Sequence, residues 1–206
     1  MGLLRRSRPF RTEEKWKSIC LDLEGVLVPE IWIAFAEETG IPELKRTTRD
    51  EPDYNKLMNY RLNILREHGL GLKEIQETIS KIDPLPGARE FLDKLKEITQ
   101  VIIISDTFSQ FAGPLMKKLG YPTIFCNSLV VSENGEITDF KMRCEKSKYT
   151  TVKALQSCGF ETIASGDSHN DLAMIEASKA GFLFRTTKEI KQNIRRFRPM
   201  RRMMSC

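Results

Sequence analysis

Residues 18–26 read Ser-Ile-Cys-Leu-Asp-Leu-Glu-Gly-Val and place two acidic side chains directly after a short apolar run. The run is too short for a helix, but it is continuous enough for a strand that is buried on both faces. Asp22 and Glu24 point to the same side if the strand continues, and Gly25 permits a sharp turn just beyond them. This stretch therefore predicts a buried strand with two carboxylates at its carboxyl end.

Similar short apolar runs recur along the chain and alternate with helical patterns. The predicted strands are Ser18–Leu23, Val101–Ile104, Thr123–Cys126, Thr162–Ala164 and Gly181–Phe184. The predicted helices of this part are one that follows Pro86-Gly87 and runs to about Lys96, and Phe108–Leu119, Thr150–Ser157 and Asp171–Lys179. This alternation predicts an α/β fold with a doubly wound, mainly parallel sheet. A hairpin joining Leu129–Val131 to Ile137–Phe140 is expected through the turn sequence Glu133-Asn-Gly-Glu136.

The alternation stops between residues 30 and 83, where three helical patterns follow one another without a strand. They are Ile31–Glu38, Tyr54–Glu67 and Leu72–Ile82. We interpret them as a small all-helical cap inserted after the first strand, over the carboxyl edge of the sheet. The predicted division is a basic N-terminal extension (1–17), an α/β catalytic core (18–29 and 84–187), the cap (30–83) and a basic C-terminal tail (188–206).

The charge of the chain is concentrated at its two ends. The formal net charge is +5, but residues 1–18 carry +4 and residues 188–206 carry +6, so the middle is acidic. We interpret the ends as solvated tails and nucleic acid as an unlikely partner. A nucleic-acid-binding module acting through the arginines of 195–202 is the alternative from another functional class.

Composition also bounds the location and the partners. There is no apolar run of about 18 residues and no secretory h-region, so no membrane partner is expected. The five cysteines are scattered and form no CxxC motif, which favours a reducing compartment and hence the cytoplasm. A homodimer stays an open alternative.

Two further strands also end in polar residues. Ser105 and Asp106 follow an isoleucine run, where a hydroxyl and the amides of a following helix could cradle an anion, or simply cap that helix. Asp167 and Asp171 follow the run that ends near Gly166 and are four residues apart. Carboxyl ends of parallel strands share one edge, so these acids are expected beside Asp22, where a divalent cation such as Mg²⁺ would neutralise them.

The chain resembles the haloacid dehalogenase-like phosphatases. The acids after the first strand, Ser105, Lys148 and the acids after Gly166 occur in the order of the four motifs of that family. Asp22-Leu-Glu24-Gly resembles the first motif, Ser105 the second, Lys148 the third and Gly166-Asp-Ser-His-Asn-Asp171 the fourth. The first motif most resembles that of members that hydrolyse phosphoserine and also transfer its phosphoryl group to homoserine. The segment that follows it, through Phe35, fits the same members, as do residues 47–50, 52–54 and 105–108.

The resemblance implies a mechanism. Asp22 would attack phosphorus and form an aspartyl-phosphate, while Glu24 would act as general acid and then general base. Mg²⁺ would be held by Asp22, by the backbone carbonyl of residue 24 and by Asp167. The groups implied to bind the phosphate or to support the site are Lys148, Ser105, Asp106, Asn170 and Asp171.

The cap is expected to determine specificity. Phosphoserine carries an ammonium and a carboxylate besides its phosphate, so recognition needs one acid and one arginine. Glu30 follows the first motif, and Arg61 lies beside an apolar helix stripe, where it could instead extend along the cap seam. The predicted activity is a Mg²⁺-dependent phosphoserine phosphatase, with transfer to homoserine as a second activity. A phosphatase of the same fold for another small phosphorylated metabolite is the alternative.

Overall fold

A single sheet of six strands organises the fold in the computed structural model, which describes residues 16–48, 50–51 and 53–185. The strands are β1 (Lys17–Leu21), β2 (Gln100–Phe108), β3 (Thr123–Val131), β4 (Ile137–Lys141), β5 (Glu161–Gly166) and β6 (Ala180–Leu183). Their order is β4-β3-β2-β1-β5-β6, and all neighbours are parallel except the hairpin β3–β4. The predicted α/β fold with a mainly parallel sheet is confirmed.

Both faces of the central strands are buried. Successive residues of a strand point to opposite faces, and here they enter two different hydrophobic clusters. Leu21 and Ile103 pack in the larger cluster, whereas Cys20 and Ile104 pack in the smaller one. The continuous apolar runs of the sequence therefore reflect strands that have no solvent-facing side.

Seven α-helices and two short 3₁₀ segments occupy the described part of the chain. The α-helices are α1 (Ile31–Thr39), α2 (Tyr54–Glu67), α3 (Leu72–Lys81), α4 (Ala88–Ile98), α5 (Ser109–Lys118), α6 (Ser147–Ser157) and α7 (Leu172–Ala177). The 3₁₀ segments are Pro42–Lys45 and His169–Asp171. None of these helices is long and apolar enough to cross a membrane.

Several predicted boundaries were wrong. β2 continues to Phe108 rather than ending at Ile104, and α6 begins at Ser147 rather than at Thr150. β1 ends at Leu21 rather than at Leu23, because the chain turns there and the carbonyl of Leu23 accepts the N–H groups of residues 27 and 28. β3 continues to Val131, so that two predicted segments form one strand, since the polar residue Asn127 is itself buried in it. α7 ends at Ala177, and its predicted first residue Asp171 belongs to the preceding 3₁₀ segment.

Between β1 and α4, the described residues form α1, α2, α3 and a 3₁₀ segment, without a further strand of the sheet. On α3, Ile75 and Ile79 are buried and Leu72 and Ile82 are partly buried, as their spacing indicates. The cap boundaries at residues 30 and 83 stay a prediction. The basic extension and tail fall almost wholly on residues 1–15 and 186–206, which lie outside the described residues.

Candidate active site

The candidate site lies where the three central strands end. Asp22 follows β1, Ser105 belongs to the last part of β2, and Asp167 follows β5. Because β2, β1 and β5 are adjacent and parallel, their carboxyl ends meet at one edge of the sheet. The structure thus brings together three of the four predicted motifs at this edge, and Lys148 of α6 supplies the fourth.

Lys148 is the centre of the site. Its Nζ lies 2.9 Å from Asp22 Oδ2, 2.5 Å from Asp171 Oδ1 and 3.8 Å from Asp106 Oδ2. The side chain is only 4% exposed. Burial alone would lower the pKa of Lys148, but the surrounding carboxylates raise it above its ordinary value, so the ammonium stays charged.

Asp22 is buried directly against this ammonium. Its Oδ1 accepts a hydrogen bond from the N–H of Leu23 at 2.7 Å. Burial raises the pKa of Asp22 well above the ordinary value, and the carboxylate of Asp171 adds to this, while Lys148 opposes it. Positive charge at this point therefore favours the ionised form of Asp22 that a nucleophile requires.

Asp171 holds Lys148 and the loop after β5 together. It is fully buried, and its Oδ2 accepts hydrogen bonds at 3.0 Å from the N–H groups of Asp167 and Ser168. With Oδ1 on Lys148, both of its oxygens have protein partners. Gly166 allows this close approach, because a Cβ there would lie 2.2 Å from Asp171 Cγ. Asp171 is therefore suited to a supporting role.

A cation would fit between Asp22 and Asp167. Asp22, Asp167 and Asp171 each offer a carboxylate oxygen within 4.8 Å of the others. Burial, followed by the charge of Asp171, raises the pKa of Asp167 to about 6. Several carboxylates around one lysine leave negative charge unbalanced, and carboxylate oxygens are the ligands that Mg²⁺ prefers. The residues present therefore fit a magnesium ion.

The carboxyl group of Glu24 contacts the start of α1. Its Oε2 accepts the N–H of Ile31 at 2.9 Å, at the start of α1. Burial, followed by the charge of Glu30, raises its pKa to about 8. Glu24 can thus carry a proton near neutral pH and release it within the site. The sequence pattern places Asp22 and Glu24 on one face only if the strand continues, and β1 ends at Leu21, before both residues.

Arg61 reaches the site region from α2. It is 6% exposed, donates through Nη2 to the carbonyl of Arg46 at 2.7 Å, and lies over the Trp32 ring at 4.5 Å. Its buried Nε has no hydrogen-bond partner within the described residues. Burial lowers the pKa of Arg61 to about 10, and the neighbouring Tyr54, Glu24 and Glu30 oppose this shift in that order.

Ser105 and Asp106 lie in the last part of β2, and Asp106 is beside Lys148. The buried Ser105 hydroxyl accepts the N–H of Thr107 at 3.2 Å. The Asp106 carboxylate accepts hydrogen bonds from Ser147 Oγ at 2.9 Å and from Asn170 Nδ2 at 2.8 Å. Substrate binding by Asp106 and Asn170 stays a prediction. Sequence reasoning missed Ser147, whose only signal is its position directly before Lys148.

Comparison with known proteins identifies the family. A model of haloacid dehalogenase-like hydrolases matches residues 16–179. Phosphoserine phosphatase ThrH of Pseudomonas aeruginosa is 50% identical over 178 residues, covering 86% of this chain and 87% of that protein. A phosphoserine phosphatase of Pseudomonas syringae pv. tomato is also 50% identical over 178 residues, covering 86% of this chain and 75% of that protein.

Solved structures show the same fold at lower identity. A substrate-bound phosphoserine phosphatase complex superposes with a TM-score of 0.73 at 24% identity, covering 87% of this chain and 91% of that chain. A phospho-aspartyl intermediate analogue of phosphoserine phosphatase gives a TM-score of 0.73 at 23% identity with the same coverage of both chains. Motifs, fold and relatives agree, and the chain belongs to the haloacid dehalogenase-like hydrolases.

Proposed function

We propose that this hydrolase is a phosphoserine phosphatase that converts O-phospho-L-serine to L-serine and phosphate through an aspartyl-phosphate. The buried pair of Asp22 and Lys148, 2.9 Å apart, is the observation that carries the proposal. It places a nucleophilic carboxylate and a cation for the phosphate at one point. The two relatives at 50% identity, both named phosphoserine phosphatase, support the choice of substrate.

The reaction needs two displacements at phosphorus. In the first, an oxygen of Asp22 forms a bond to phosphorus while the bond to the serine oxygen breaks, and Glu24 gives its proton to that oxygen. In the second, Glu24 takes a proton from water, whose oxygen attacks phosphorus and releases phosphate from Asp22. The raised pKa of Glu24, about 8, suits a residue that alternates between the two protonation states.

The neighbouring groups stabilise the charge on the phosphoryl oxygens. Lys148 is the donor beside Asp22, and Asp171 keeps Lys148 in place. The buried Ser105 hydroxyl is the second proposed donor to the phosphate. Asp22, Asp167 and the backbone carbonyl of residue 24 would hold Mg²⁺. The ion, when bound, supplies positive charge that offsets the repulsion between an anionic nucleophile and an anionic phosphate.

Arg61 and Glu30 are the proposed contacts for the amino-acid end of the substrate. The unpartnered Nε of Arg61 is a buried donor, and a substrate carboxylate would satisfy it. Glu30 is exposed at the start of α1, and its charge acts on Glu24, Arg61 and Asp167. Its carboxylate could therefore accept the substrate ammonium close to the reacting centre.

Phosphate release from L-phosphoserine, with and without Mg²⁺, tests this proposal. We expect Mg²⁺-dependent release, and a clear preference for L-phosphoserine over phosphomonoesters that lack the ammonium or the carboxylate. Equal rates across such a panel would instead favour the alternative, a phosphatase of the same family for another small phosphorylated metabolite.

We propose transfer to L-homoserine as a second activity of the same site. Homoserine has the ammonium and carboxylate of serine and one more methylene, a difference that an apolar pocket discriminates by only about 1–3 kcal/mol. Contacts that hold serine would thus hold homoserine with its hydroxyl near the aspartyl-phosphate. Addition of L-homoserine to the phosphoserine reaction should yield phosphohomoserine. If no phosphohomoserine forms, the activity of the chain is restricted to hydrolysis.

A further inference from the structure

A hydrogen-bonded cluster beside the site contains one residue, Ser147, to which the proposed chemistry gives no role. It consists of Asp106, Ser147 and Asn170, and we refer to it as the Asp106 cluster. Ser147 Oγ donates to Asp106 Oδ1 at 2.9 Å, and Asn170 Nδ2 donates to Asp106 Oδ2 at 2.8 Å. The same Oδ2 lies 3.8 Å from Lys148 Nζ. Asp106 is thus oriented by two protein donors next to the central ammonium.

Ser147 occupies the first position of α6, directly before Lys148. It is 6% exposed, and α6 has no side-chain cap at its start. Lys146, the residue before it, has a φ of +47°, a left-handed conformation that is uncommon for a residue other than glycine. The contact of Ser147 with Asp106 therefore anchors a strained helix start to the end of β2.

We propose that Ser147 is a positioning residue, which acts through Asp106 to fix Lys148 for phosphoryl transfer. The inference rests on the proposed function, because it assumes that Lys148 contacts the transferring phosphoryl group. With the Ser147 hydroxyl removed, Asp106 Oδ1 loses its donor, and both the carboxylate and the first turn of α6 gain freedom. A small displacement of Lys148 would then weaken transition-state contacts more than ground-state binding.

The proposal is tested by the steady-state kinetics of Ser147→Ala. They are measured with p-nitrophenyl phosphate and with L-phosphoserine. We expect kcat to fall about 10-fold on both substrates while KM changes by less than about twofold. Thr150→Ala is the matched control, since Thr150 is an exposed residue of the same helix whose hydroxyl donates to the carbonyl of Glu145. An unchanged kcat in Ser147→Ala would overturn the proposal.

A double-mutant cycle separates positioning from a general structural role. If Ser147 acts through Asp106, then adding Ser147→Ala to Asp106→Ala should lower kcat no further, whereas independent effects would multiply and contradict the proposal. Ser147→Cys keeps the side-chain volume with a weaker donor. We expect Ser147→Cys to fold and to have a lower kcat than the wild type. If Ser147→Ala does not fold, this variant provides the test. A wild-type kcat in Ser147→Cys would refute the inference.

Use of two substrates separates this proposal from the proposed function. If the wild-type chain cleaves p-nitrophenyl phosphate but not L-phosphoserine, the substrate assignment fails while the role of Ser147 is still decided by kcat on p-nitrophenyl phosphate. A wild-type chain that cleaves neither substrate in the presence of Mg²⁺ overturns both.

Discussion

Lys148 Nζ lies 2.9 Å from Asp22 Oδ2, and both side chains are almost completely buried. A buried ion pair of this kind is weak support for stability, because desolvation offsets much of the attraction. Its value here is chemical, since the ammonium favours an ionised carboxylate in a place where burial would otherwise protonate it. The pair therefore bears on nucleophilic catalysis more than on folding.

The first prediction concerns the nucleophile. Asp22→Asn should lower kcat by at least about 10³-fold, because an amide cannot form the aspartyl-phosphate. Phosphate release under saturating substrate measures the loss. Asp139→Asn, which changes an exposed carboxylate of β4, is the control and should keep wild-type turnover. Substantial turnover by Asp22→Asn would mean that phosphorus is attacked by another group.

The second prediction concerns the support of Lys148. Asp171→Ala should lower the free energy of unfolding by about 3 kcal/mol, because it leaves a buried ammonium and two loop N–H groups without this acceptor. Urea unfolding followed by circular dichroism provides the measurement. Asp83→Ala serves as the comparison, since that carboxylate is 86% exposed in its pair with Lys118 and should contribute less than about 1 kcal/mol. Equal effects of the two variants would argue against a buried anchor.

A third prediction addresses specificity. Arg61→Lys keeps a positive charge but loses the planar fork that binds a carboxylate through two donors. We expect the preference for L-phosphoserine over p-nitrophenyl phosphate, expressed as a ratio of kcat/KM values, to fall about 10-fold or more. Arg66→Lys is the control, because Arg66 is an exposed arginine of the same helix that pairs with Glu136. The ratio of kcat/KM values should not change in this variant. If Arg61→Lys retains the preference, the arginine serves the packing against Trp32 instead.

The sequence predicts the fold well where the signal is local. The apolar runs of β1 and β5 and the periodicity of α2 and α3 each depend on neighbouring residues, and the structure contains these elements near the predicted bounds. The convergence of Asp22, Ser105 and Asp167 also follows, because strand ends of a parallel sheet meet at one edge.

The contacts that the sequence does not reveal join distant residues. Ser147 and Asp106 are 41 positions apart, and Asn170 and Asp106 are 64 apart, so no spacing rule connects them. The end of β1 at Leu21, two residues before the predicted end at Leu23, is also hidden from the sequence. That end is determined by the turn in which the carbonyl of Leu23 accepts the N–H groups of residues 27 and 28. The local pattern of apolar residues does not predict these hydrogen bonds.

The last prediction concerns the turn that supports Asp167. Gly25 has a φ of +75°, and a Cβ at this position would lie 2.5 Å from Asp167 Oδ2. Gly25→Ala should therefore displace Asp167 and raise the Mg²⁺ concentration that gives half-maximal activity by about 10-fold or more, as is typical when support of a metal ligand is lost. A magnesium titration of phosphate release gives this value.

Gly40 provides a control with matched backbone strain. Its φ is +71°, but a Cβ there would meet no atom within 4 Å, so Gly40→Ala carries the left-handed cost of about 1 kcal/mol without touching the site. Gly40→Ala should keep the wild-type Mg²⁺ requirement, whereas Gly25→Ala should need more Mg²⁺. A similar Mg²⁺ requirement in the two variants would show that the close approach of residue 25 to Asp167 does not govern metal binding.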